Sequence, residues 1–346
     1  MARRRTAVLR PTILRRGALA GLGALALAAG LLAPAGDPPP AAAAAPSYVA
    51  LGDSYSSGTG TRLYVDDGTE CLRSTSAFPS LLAAQRGYAL DFRACSGATI
   101  PDVTTAQLGA LSSTTSFVTV SVGGNDAGFA DVLTTCALPW WAASCDKAVD
   151  GAQSFINGTL PGRLSTLYGA IGSRAANAQV VVVGYPRIFG GEDCNAATFF
   201  SGAEMTRLNA TADLINRRLR EAAAARGFAF ADPTSRFVGH AVCADAEWLN
   251  GLSNPIVESY HPNRAGHASG YLPTVAGQVP AARAADTGLV RVPARDIAAS
   301  QEQYAALDRD IEPQVVRAPD LTSPAVRRAA ERAGIDLDRW VARHAA

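Results

Sequence analysis

The sequence is short of charge and almost without lysine. Charged residues make up 18% of the chain, and Lys147 is its only lysine, the rest of the positive charge being arginine. That skew reflects genomic composition and carries no mechanism. Six arginines and a single acidic residue, Asp37, fall within residues 1–45, so the remainder carries 25 basic and 29 acidic groups, a net charge of −4. A chain of that balance has no basic footprint for nucleic acid. Cys-x-x-Cys does not occur, and the four histidines are not grouped with the cysteines. The spacing that builds zinc sites is therefore missing, and no metal is expected. No internal repeat is visible, and past residue 45 no apolar run is long enough to span a membrane. Disorder is excluded as well, because 48% hydrophobic residues over 346 positions supply a sizeable core.

At the N-terminus, Arg3, Arg4, Arg5, Arg10, Arg15 and Arg16 precede an apolar run from Ala18 to Ala33, and a Pro/Ala-rich stretch follows from Pro38 to Pro46. This is the layout of a secretory signal peptide cleaved near Ala45. The Arg15-Arg16 pair allows twin-arginine export, although in so Arg-rich a segment it discriminates little from the general route. A retained anchor is the alternative, but the run is Gly/Ala-rich and short for a spanning helix. The expected division is a signal segment 1–45, a catalytic domain 46–285 and a charged, partly helical tail 286–346. All six cysteines lie past the signal segment, and an even count in an exported chain implies disulfides. Fifteen pairings are possible. The expected one joins sequence neighbours, Cys71–Cys95, Cys136–Cys145 and Cys194–Cys243, each stapling one loop and stabilising by roughly 2–4 kcal/mol.

Strand and helix signals alternate along the domain. Tyr48–Leu51, Ala89–Ala94, Phe117–Val122, Gln179–Gly184 and Phe228–Asp232 read as short apolar or β-branched strands. Helices are expected over 78–86, 101–111, 126–133, 150–174 with a break near Gly158–Pro161, 203–226, and from Asn263 towards Tyr271. Such alternation gives a parallel sheet with helices on both faces, and five strands fit a flavodoxin-like three-layer α/β/α sandwich of order 2-1-3-4-5. In the tail, Ser323 and Pro324 mark the start of a helix that Gly334 stops, and Trp340 offers an anchor for the chain end. The tail's composition favours loose docking.

Four spots share one logic, because each follows the C-terminal end of a strand and so emerges at one edge of the sheet. They are Ser54 in Gly52-Asp53-Ser54-Tyr55-Ser56-Ser57-Gly58, Gly97 in Cys95-Ser96-Gly97-Ala98, Asn125 in Gly123-Gly124-Asn125-Asp126, and His261 in Glu258-Ser259-Tyr260-His261-Pro262-Asn263. Taken singly, each reads as readily as a cap, a turn or a structural histidine. Together they assemble chemistry. Ser54 is a candidate nucleophile and His261 its base. Glu258, three residues earlier, or a main-chain carbonyl of the same loop, is placed to orient the imidazole. The N–H groups of Ser54 and Gly97 and the side-chain amide of Asn125 are candidate oxyanion donors. Trp140 and Trp141, in the loop that a Cys136–Cys145 bond would close, are candidates to line an acyl groove or to pack that loop.

These blocks resemble those of the SGNH (GDSL) hydrolase family, and most of all its secreted actinobacterial esterases and lipases, over roughly residues 47–280. The resemblance implies that Ser54 is the nucleophile and His261 the base, that Ser54, Gly97 and Asn125 form the oxyanion hole, and that three disulfides join sequence neighbours. Two features depart from it. The usual last block is Asp-x-x-His, whereas here Glu258 stands at the first position, one methylene longer, and some relatives use a main-chain carbonyl instead. The tail past residue 286 has no counterpart in the resemblance. The expected protein is a secreted serine esterase or lipase acting as a monomer on an ester or lipid substrate. It needs no metal or organic cofactor, has no nucleic-acid partner, and keeps no integral anchor after signal cleavage. A phospholipase and a polysaccharide deacetylase are the enzymic alternatives; a surface-binding protein that has lost the chemistry is the non-enzymic one.

Overall fold

Five short strands, β1 (Ser47–Gly52), β2 (Ala89–Phe92), β3 (Phe117–Ser121), β4 (Gln179–Val183) and β5 (Ala229–Ala231), form one parallel sheet of order β2-β1-β3-β4-β5 in the computed structural model, which describes residues 45–279 and 293–344. The expected signal segment lies outside the described residues. The central strands are apolar on both faces, as a sheet sandwiched between helices requires. Tyr48, Ala50, Phe117, Val181 and Val183 pack into one layer, while Val49, Leu51, Val118, Val120, Val180 and Val182 pack into the other.

The helices are α1 (Ser54–Ser57), α2 (Phe78–Arg86), α3 (Ile100–Asp102), α4 (Phe129–Cys136), α5 (Cys145–Gly158), α6 (Leu160–Arg174), α7 (Gly202–Ala224), α8 (Leu272–Ala276), α9 (Ala294–Gln301), α10 (Ala305–Asp308), α11 (Pro324–Arg332) and α12 (Leu337–His344). The longest, α7, starts at a capping box. Ser201 Oγ accepts from the Glu204 N–H, and the Glu204 carboxylate accepts from the Ser201 N–H at 2.8 Å. Its first half packs Met205 and Leu208 into the first layer, and its second half packs Ile215, Leu219 and Ala223 into the other. Among the described residues no helix is long and apolar enough to cross a membrane.

Three expected helices differ in outline. The segment 100–110 is a short helix followed by wider and tighter turns. There Thr104 and Thr105 hydroxyls donate to the carbonyls of Ile100 and Pro101, competing with the backbone ladder. The helix expected from Asp126 begins only at Phe129, since Gly128 takes a left-handed conformation. The last one opens with wide turns over Gly266–Tyr271 and runs on to Ala276. All three disulfides join sequence neighbours: Cys71–Cys95, Cys136–Cys145 and Cys194–Cys243.

The C-terminal segment is docked rather than loose. Ile297 enters the first layer of the core, and α9 packs on β2. Composition misleads here because the body buries two arginines that need partners. Arg73 and Arg93 are fully buried, and both meet the fully buried Asp308 at the end of α10, at 2.6 and 3.6 Å. Further on, Val326, Ala329 and Ala330 of α11 close over Trp141, whose ring meets Trp340 of α12 edge-on at 5.3 Å.

Candidate active site

β1 ends in a turn that only glycine fits. Gly52 has φ +129°, and a Cβ there would lie 2.3 Å from the Ser121 carbonyl oxygen. The Gln107 side chain satisfies both backbone groups of Gly52, accepting from its N–H at 2.7 Å and donating to its carbonyl at 2.9 Å. Asp53 then caps α1. Its buried carboxylate accepts from the Tyr55 N–H, the Ser121 hydroxyl and, at 2.6 Å, the Tyr185 hydroxyl. Burial pushes the Asp53 pKa up to about 6, and these three donors restrain the rise. Ser54, the first residue of α1, is thereby fixed at the sheet edge with only 5% of its surface exposed.

His261 approaches Ser54 from the loop after β5. Its Nε2 lies 2.8 Å from Ser54 Oγ, and its Nδ1 lies 2.9 Å from the main-chain carbonyl oxygen of Ser259. A carbonyl can only accept, so Nδ1 carries the proton and the Nε2 lone pair faces the serine hydroxyl. Tyr55 packs beside the imidazole and donates to the Tyr260 carbonyl at 2.8 Å, which ties the helix of Ser54 to the histidine loop. Burial lowers the His261 pKa to about 4, partly offset by the Ser259 carbonyl.

Glu258 does not reach the imidazole. Its carboxylate accepts from the Tyr64 hydroxyl at 2.6 Å and from Arg62 Nε at 3.0 Å. Of the two expected orienting groups, the structure thus brings the main-chain carbonyl to Nδ1 and turns the acid towards the loop after α1.

Two further loops complete the edge. Asn125 Nδ2 donates to the Ala98 carbonyl at 3.0 Å, which leaves its second hydrogen free of that bond. The neighbouring Asp126 accepts from the Ile100 N–H and from Arg163, so the loops after β2 and β3 are locked together. Gly97 has φ +87°, and its Cα is covered by the chain's own backbone, since a Cβ there would fall 1.9 Å from the Glu312 carbonyl oxygen.

Ser54, Asn125 and His261 line a solvent-open cleft whose other walls include Phe129, Ala130, Leu133, Ile156, Ile188, Ala212 and Ile215. Gly97 is one residue from the Ala98 carbonyl that Asn125 holds and is not itself a wall. Neither tryptophan lines the cleft: Trp140 is 76% exposed, and Trp141 lies under α11 and α12. None of the cleft's apolar walls was identified from the sequence, and two of its lining residues, Gln314 and Val316, come from the charged tail. The available signal was the short apolar pattern of Ile311, Val315 and Val316 around Pro313.

A serine hydroxyl hydrogen-bonded to a neutral, buried imidazole can attack a carbonyl carbon, and nearby amide donors can hold the oxyanion that results.

The sequence profile of the GDSL-like lipase/acylhydrolase family matches residues 50–269. Lipase 1 of Streptomyces coelicolor is 46% identical over 270 residues, which span 76% of this chain and 99% of that protein. The crystal structure of phospholipase A1 from Streptomyces albidoflavus superposes with a TM-score of 0.65 at 44% identity, covering 68% of this chain and 100% of that one. An extracellular lipase from Streptomyces rimosus gives 0.64 and 43% over the same shares.

Proposed function

The chain belongs to the GDSL-like lipase/acylhydrolase family and is a carboxylic ester hydrolase, and from that premise we propose a secreted serine lipase that works through Ser54 and His261. The observation that carries the mechanism is the 2.8 Å contact between Ser54 Oγ and His261 Nε2 at the head of an apolar cleft. Nε2 takes the hydroxyl proton as Oγ attacks the acyl carbon. The oxyanion is held by the N–H groups of Ser54 and Gly97 and by Asn125 Nδ2. The imidazolium keeps its Nδ1–H on the Ser259 carbonyl, passes the Nε2 proton to the leaving alkoxide, and later removes a proton from the water that frees the acid. Glu258 holds the loop that carries His261 rather than the ring itself.

Secretion is supported by the signal-like residues 1–45, by three disulfides and by the extracellular relative. The catalytic domain is residues 46–285, with 286–346 as an extension, and the enzyme acts as a monomer. Apolar side chains such as Phe129, Leu133, Ile156, Ile188 and Ile215 line most of the cleft, which favours long acyl chains over polysaccharide deacetylation. Phospholipids are a second substrate class, favoured by the 44% identity to a phospholipase A1. Turnover of triacylglycerols, phospholipids and acetylated xylan, measured side by side, tests the reading. Activity confined to acetylated sugar would contradict it.

A further inference from the structure

The family profile ends at residue 269, yet the chain comes back to the active site more than forty residues later. We propose that the segment Ile311–Val316 is a built wall of the acyl cleft and that Val316 sets the length of acyl chain it accepts. The inference rests on the lipase reading above.

The segment is held on both sides. Before it, the fully buried Asp308 accepts from Arg73, and Arg93 donates to Gln301 at 2.9 Å while stacking over Tyr304 at 3.5 Å. After it, the Arg317 N–H donates to Thr134 Oγ1 of α4 at 2.9 Å. Between these ties the backbone runs against the oxyanion region, with the Glu312 carbonyl on the bare Cα of Gly97. The absence of a side chain at Gly97 is therefore what lets the extension lie this close. Ile311 is buried in one helix layer and Val316, 5% exposed, in the other.

Val316 and Leu133 of α4 belong to the same apolar layer and line the same cleft as Ser54. Swinging this strap away would break the buried Arg73–Asp308 pair before it and the Arg317 N–H bond to Thr134 after it, which restricts the space beside Val316. Bulk added there shortens the apolar channel, and bulk removed lengthens it.

The test uses the full secreted chain with p-nitrophenyl butyrate and p-nitrophenyl laurate, reading the ratio of kcat/KM for laurate to that for butyrate. Val316→Trp is expected to lower this ratio by at least tenfold, and Val316→Ala to raise it by about threefold or more. If Val316→Trp fails to fold, Val316→Ala carries the test alone. A ratio unchanged in a folded variant, or a rise common to both esters in Val316→Ala, overturns the wall. A wild type that turns over neither ester, with Ser54 unlabelled by an alkyl phosphonate, overturns the lipase reading itself, which separates the two failures.

Discussion

His261 is oriented by the main-chain carbonyl of Ser259, 2.9 Å from its Nδ1, although Glu258 stands only three residues away in sequence. The acid points instead to Tyr64 and Arg62 on the loop after α1. Its carboxylate is almost wholly buried there, while Arg62 is 58% exposed. The proposed working unit is therefore a serine–histidine pair with a neutral orienting group, while the acid braces two loops.

Glu258→Gln separates these roles. Replacing a carboxylate that orients a catalytic imidazole drops kcat by about 10⁴-fold. Here kcat against an acyl ester is expected to fall less than about fivefold. Stability is expected to drop by about 1–3 kcal/mol in chemical denaturation, since bonds to a charged acceptor are weakened.

The pH dependence follows from desolvation. An ordinary histidine loses its charge near pH 6.5, whereas burial lowers His261 to about 4. Protonated His261 cannot take the serine proton, so the acid limb of kcat/KM is expected near pH 4 and activity persists at higher pH. A limb at 6.5 or above contradicts a dry imidazole. Stability is a poorer readout. The unfolded chain binds the His261 proton first between about pH 6.5 and 4, so that contribution is lost as pH falls through this window. Asp53, pushed up to about 6, acts in the opposite sense, because the folded state takes its proton first as pH falls.

Asn125→Ala and Gly97→Ala are expected to differ in kind. Losing one oxyanion donor costs about 10²–10³-fold in kcat. Asn125→Ala should show that loss with little change in the thermal midpoint. Gly97→Ala keeps its N–H but forces a Cβ towards the Glu312 carbonyl. It should lower both kcat and the midpoint, and comparing calorimetry with steady-state kinetics for the two variants checks this.

Asp308→Ala tests whether the extension belongs to the fold. It removes the carboxylate that the fully buried Arg73 and Arg93 share, leaving Arg73 with Asp67 and Arg93 with Gln301 and the Ala106 carbonyl. Breaking a buried pair on one side costs about 3–5 kcal/mol. Urea unfolding of the variant should show a loss of that size, and a loss under about 1 kcal/mol would mean that the extension is a loose appendage.

Much of the site was legible because its chemistry sits at strand ends. Ser54, Asn125 and His261 each follow a short apolar run, and a parallel sheet carries such ends to one edge. The sheet order was legible because strands alternate with helices and five parallel strands fit the flavodoxin-like order 2-1-3-4-5. What stayed hidden depended on partners far away in the chain. The direction of Glu258 is set by Tyr64 and Arg62, nearly two hundred residues earlier. The burial of Asp308 is set by Arg73, more than two hundred residues earlier. Trp141 reads equally as groove lining or loop packing until α11 lands on it. Composition made residues 286–346 look like a loosely docked tail, because charges that satisfy buried charges look the same in sequence as charges that face water.

The most direct test of the central claim is covalent trapping at Ser54. Wild type and Ser54→Ala are treated with an alkyl phosphonate, then read by intact mass, peptide mapping and residual ester turnover. One phosphonyl group on the peptide carrying Ser54, none on the variant, and a loss of at least about 10³-fold in kcat for Ser54→Ala are expected. A labelled Ser54→Ala, or one that keeps turnover within tenfold of wild type, would contradict the mechanism.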